Sequence, residues 1–100
     1  MAPFSFEQFS DQLHEAFILI DGDHRVQLNL AEATQGHSNE MHEQFSLFFE
    51  ADAARVVAQG MYKLEHPDFD HLELFLVPIG ISEDGSKIRY EAVFNRLKAK

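Results

Sequence analysis

The sequence predicts a mainly β domain, α+β in the broad sense. An N-terminal helix precedes a strongly bent six-stranded antiparallel meander or small barrel. Three observations carry this. Six short runs between residues 16 and 96 alternate apolar with polar side chains, the period of a half-buried strand. Most of their connections are too short for crossover helices, which leaves antiparallel neighbours. The run Leu72-Glu73-Leu74-Phe75-Leu76-Val77-Pro78-Ile79-Gly80 begins with one apolar face and then adds Phe75, Val77 and Ile79 on the other, so it has something to cover on both sides. Residues 1–100 read as one domain, with the helix over 5–14 and the sheet over 16–96.

The elements follow in order. Ser5 and Gln8 form a capping box, Phe4 and Phe9 a hydrophobic staple, and Phe6, Phe9 and Leu13 one apolar stripe. So short a helix is not stable alone and must lie on the sheet. Ala16-Phe17-Ile18-Leu19-Ile20 is a strand closed by the hairpin signal Asp21-Gly22. Val26, Leu28 and Leu30 face inward on its partner, and 34–39 reads as a loop. Phe45, Leu47 and Phe49 share a face of the third strand, which leaves Phe48 opposite, as a surface or interface residue. Residues 51–59 lack alternation and read as a connection with one helical turn from Asp52. The fourth strand has Tyr62 and Leu64 inward. Pro78 and Gly80 end or bulge the fifth, Asp84-Gly85 marks another hairpin, and Ile88, Tyr90, Ala92 and Phe94 line one face of the sixth. No internal repeat, linker or low-complexity segment is visible.

The totals exclude several function classes. There is no Cys, which removes disulfides, thiol nucleophiles and thiolate metal sites. No apolar run reaches the ~20 residues of a membrane span, and Met1-Ala2-Pro3-Phe4-Ser5 lacks the pattern of a secretory signal, so the cytoplasm is the expected location. The formal charge is −9. Residues 1–86 carry sixteen acidic and three basic side chains, a balance of −13, and the last fourteen carry five basic and one acidic, +4. Phosphate neutralisation drives nucleic-acid affinity, so nucleic acid is not the expected partner.

Candidate chemistry is sparse. His66, Asp68, Asp70 and His71 are the tightest grouping of metal-ligand types, but neighbouring turn residues rarely converge on one ion. Pro67-Asp68 is also ordinary turn chemistry. His37 and His42 beside Glu40 and Glu43 form a looser cluster. Glu65 and Glu73 could face each other across a hairpin, the arrangement acid–base work needs, but solvated outward positions suit them better. No nucleophile elbow or phosphate loop is present. The reading is therefore no enzyme, no catalytic residue, no metal and no cofactor.

Gln59-Gly60-Met61-Tyr62-Lys63-Leu64-Glu65-His66-Pro67, the Leu72 run and Tyr90-Glu91-Ala92-Val93-Phe94-Asn95-Arg96 resemble an uncharacterised bacterial family of about this length, filed as a domain of unknown function. Phe45-Ser46-Leu47-Phe48-Phe49 fits its pattern too. The match covers the second half, and the first only in its helix-then-hairpin layout. Where that family shows a Leu-Gly turn after Glu-His-Pro, this chain has Phe69-Asp70-His71, so the resemblance assigns His71 no role. It implies an association with phage-tail-like collar or fibre proteins. The layout is also similar to Sm-like small barrels, whose RNA-binding members are basic where this chain is acidic.

The leading expectation is a non-catalytic interaction or accessory module. An Sm-like nucleic-acid binder and a small-ligand or metal-binding enzyme are the alternatives. Phe75, Val77, Ile79 and Phe48 are the expected interface, with a homodimer as the expected assembly, since exposed contiguous apolar patches mark interfaces. Closure of the sheet into a barrel is the competing explanation for the second apolar face.

Overall fold

A computed structural model describes residues 4–36, 39 and 41–97. One short helix, α1 (Phe6–Ser10), precedes six strands: β1 (Ala16–Asp21), β2 (His24–Gln35), β3 (His42–Asp52), β4 (Gly60–His66), β5 (Phe69–Ile81) and β6 (Lys87–Leu97). All pairings are antiparallel, and the strands close into a barrel in the order β1-β2-β3-β6-β5-β4. Closure satisfies backbone groups that an open sheet would leave at its edges. The chain is not a plain meander, because β3 and β4 are not neighbours. Instead two three-stranded meanders join along two seams, β1 with β4 and β3 with β6.

These two halves are a repeat that the sequence does not display. His42 to Lys87 and Asp52 to Leu97, the two ends of β3 and β6, are both steps of 45 residues, as is His24 to Phe69. Leu19 lies opposite Leu64 in one seam and Leu47 opposite Ala92 in the other, and each pair is again 45 apart. Residues equivalent by the repeat meet each other, so a local two-fold axis crosses both seams. A bulge hides the register in β5. Leu64 pairs with Leu72 and His66 with Phe69, leaving Asp70 and His71 opposite Glu65 alone. His71 takes φ 56° there, and Leu72, Leu74 and Leu76 therefore follow Val26, Leu28 and Leu30 by one position more than 45.

α1 begins as the sequence predicts. The Ser5 side chain accepts from the Gln8 amide, the Gln8 side chain accepts from the Ser5 amide, and Phe4 meets Phe9 edge-on at 6.3 Å. Its α-helical part ends at Ser10, not at His14. Tighter i→i+3 turns follow, and His14 at φ 71° swings the chain into the sheet, donating its N–H to the Leu30 carbonyl at 2.7 Å.

The reason for this early end is packing. Phe9 is fully buried and wedged between Phe69 at 4.7 Å and Phe94 at 5.5 Å. It fills the gap where β5 and β6 part, since their pairing runs only from Val77 to Ile81. Phe4, Phe6, Phe9, Phe17, Phe45, Phe49, Phe69 and Phe94, eight of the ten Phe, form one ring-to-ring network around this plug.

At the other end of the β3–β6 ladder, the connection 53–59 is the second plug. Buried Val57 donates its N–H to the Tyr90 hydroxyl at 2.9 Å. The Tyr62 hydroxyl donates to the Ala58 carbonyl at 2.6 Å. Asp52 opens the expected turn, accepting from the amides of Ala54 and Arg55.

Two loop boundaries differ from expectation. β2 continues to Gln35, so the next loop starts at Gly36, and the first hairpin turn is Gly22-Asp23, with Asp21 opposite His24. Gly22 has φ 62°, the left-handed geometry this turn requires.

Candidate functional site

The barrel interior is filled by side chains, and large apolar residues are exposed on the outer wall. Alternation along β5 sends Leu72, Leu74 and Leu76 inward and Phe75 and Val77 outward. A register shift between Pro78 and Gly80 falls at Ile79, a bulge next to Pro78, which has no N–H to give the ladder. Beyond it both Ile79 (46%) and Ile81 (61%) are exposed, together with Phe75 (47%). Val77 is half-buried.

Neighbouring strands widen the stripe. Met61, 62% exposed, is directly opposite Phe75 on β4. Exposed Val93 follows, two places on, Glu91, the partner of Val77 on β6. Closure of the barrel has therefore buried one face of β5 and left the other in solvent, though closure was the competing explanation for this second apolar face. The stripe runs on into a shallow groove of about 350 Å³ at the β5–β6 hairpin, where Ile79, Ile81 and Ile88 meet Lys87, Arg89 and Glu50.

Phe48 sits on the same wall, across Glu91 from Val77, but under a lid. The Arg89 guanidinium lies over its ring at 4.8 Å. That guanidinium also pairs with Glu32 and, at 3.4 Å, with Glu50. Sequence reasoning missed this lid because Glu32, Glu50 and Arg89 come from three strands.

The other sequence candidates do not assemble into a site. His66 is half-buried, its ring stacked on Phe17 at 4.4 Å, and its Nδ1 accepts the Asp68 amide at 3.0 Å. It pins the β4–β5 turn as an Asx side chain would. Asp68, Asp70 and His71 are exposed. Among the described residues no group of three or more His, Asp or Glu side chains is placed to hold a metal ion.

His37 and Glu40 lie outside the described residues, and His42 is exposed. Glu65 and Glu73 do not face each other. Lys63 stands opposite Glu73, and Glu65 accepts from Arg25 at 2.6 Å.

Among the described residues two groups titrate away from their ordinary range. The Asp84 carboxyl is lowered to about 2 by the Ser86 amide and then by the Ser82 and Ser86 hydroxyls, which builds the β5–β6 hairpin loop. Burial, then Asp21, raises the Tyr62 hydroxyl. Each has a structural cause in a turn or a plug. No described helix is long and apolar enough to cross a membrane.

Residues 4–94 match the family described as a domain of unknown function, DUF6916. The chain belongs to the DUF6916 family. The match takes in the helix and the first three strands, so the family likeness reaches well beyond the second half that carries the quoted motifs. No curated protein and no solved structure matches the DUF6916 chain.

Proposed function

We propose that this DUF6916 domain is a non-catalytic interaction module that docks protein through the outer wall of β5, with a second copy of the chain as its first partner. The carrying observation is the stripe itself. Met61, Phe75, Ile79 and Val93 are large, exposed and apolar and lie on adjoining strands around Val77, with exposed Ile81 following at the hairpin end. Single exposed apolar residues are ordinary, whereas a contiguous patch of this kind marks a docking surface. Membership in phage-tail-like assemblies, which the sequence resemblance implies, suits such a module. The acidic balance of residues 1–86 and the engagement of Arg89 by two glutamates weigh against the Sm-like nucleic-acid reading.

A dilution series followed by amide NMR tests the proposal. Shifts that grow with concentration should cluster at Met61, Phe75, Val77, Ile79, Ile81 and Val93. Spectra unchanged with concentration, or shifts confined to the opposite wall around Gln27 and Asn29, would refute it.

A further inference from the structure

The barrel consists of two half-barrels related by a local two-fold, and this has a consequence for assembly. β1–β3 and β4–β6 touch along the two seams, both antiparallel, one of them pairing His42–Asp52 with Lys87–Leu97 along its whole length. The halves are joined covalently only through the connection 53–59.

The bonds of that connection are unevenly divided. Its later part belongs to the second half, where Val57 is held by Tyr90 and Ala58 by Tyr62. Ala53, packed on the core, donates its N–H to the Ser86 carbonyl of the second half at 2.9 Å. What ties the following residues to the first half is the Asp52 turn, with bonds to the amides of Ala54 and Arg55, and a contact of Arg55 with His24 at 3.3 Å. The hinge is therefore the exposed run Ala54, Arg55 and Val56.

We propose that two copies of this chain exchange half-barrels, the β4–β6 half of each closing on the β1–β3 half of the other when this hinge straightens. Every strand pairing, the Phe9 plug and the Val57–Tyr90 bond are regained in the exchanged dimer. The cost falls on the Asp52 turn, on the Arg55–His24 contact and on association itself, the low-cost route by which an identical element passes between protomers. This mode uses none of the outer-wall stripe and is independent of the proposal above.

The chain has no cysteine of its own, which makes a clean test available. Ser46 and Val93 are directly opposed across the β3–β6 seam and face outward, at a separation a disulfide spans. The full chain carrying Ser46→Cys and Val93→Cys is unfolded, refolded over a range of concentrations, oxidised and separated without reductant.

Refolding at high concentration should give a species of twice 11.5 kDa with no free thiol, its bridges joining 46 of one chain to 93 of the other. Dilute refolding should give the bridged monomer. Deleting residues 54–56 shortens the hinge and should make the cross-linked dimer dominate even when dilute. A dimer that separates into single chains without reductant would overturn the exchange, because its seams are then closed within each chain. A chain of natural hinge length that yields only bridged monomer at every concentration would overturn it as well, whether or not the deletion variant folds.

Discussion

Val57 donates its backbone N–H to the hydroxyl of Tyr90 at 2.9 Å, inside the end of the barrel. The two residues are 33 apart in sequence, and the bond fixes the connection 53–59 over the core. Tyr90→Phe keeps the ring and removes the acceptor, leaving a buried N–H unpaired. Such a loss costs about 1–3 kcal/mol, which in a domain of this size lowers Tm by at least ~4 °C. Tyr62→Phe, which removes an exposed bond to Ala58, should cost less. Thermal unfolding of the two variants checks the order, and equal losses would contradict it.

Phe9 is the residue on which the aromatic end converges, touching rings on β3, β5 and β6. Phe9→Ala should cost about 3–5 kcal/mol, the transfer loss plus the cavity left behind. Urea unfolding measures it, and a loss under about 1 kcal/mol would mean that α1 does not plug the barrel.

The Asp84 loop makes a pH prediction. Its folded-state pKa of about 2 lies below the ordinary 3.8, so the carboxylate contributes stability that is fully present above the ordinary value. That contribution is lost as pH falls from there through the folded value. The stability difference between the natural chain and Asp84→Ala should hold from neutral pH down to the ordinary carboxylate range and fade toward the folded value. A difference already gone near neutral pH would contradict the loop geometry.

Nucleic acid is predicted not to bind at physiological salt, with Kd for a single-stranded oligonucleotide weaker than about 100 μM. The −13 balance over residues 1–86 motivates this, as does the engagement of Arg25 and Arg89 by glutamates. Fluorescence anisotropy decides it, and micromolar binding with a steep salt dependence would reverse it.

Much of the fold was legible because its signals are local. The Ser5–Gln8 box, the Phe45-Leu47-Phe49 face and the bulge near Pro78 can each be read within a few residues. What was not legible depends on pairing over distance. The β3–β6 seam joins residues 45 apart on average, and only its closing sets β3 beside β6 and not β4. At a step of 45 the halves keep few identical residues, Leu19 with Leu64, Asp23 with Asp68 and Phe49 with Phe94, and the His71 bulge moved the matches of Leu28 with Leu74 and Leu30 with Leu76 to a step of 46. The outward apolar residues Phe75, Val77 and Ile79 were visible as a second face of β5. That Phe48 lies under Arg89 was not, because three strands build that contact.

Sedimentation of the natural chain beside Phe75→Asp/Ile79→Ser tests the interaction face most directly. At roughly 50 μM, where a micromolar Kd leaves most chains paired, the natural chain should sediment as a dimer. The variant should sediment as a folded monomer of unchanged Tm, since both positions are about half exposed. A natural chain that remains a clean 11.5 kDa monomer, or a variant dimer as tight as the natural one, would contradict the account.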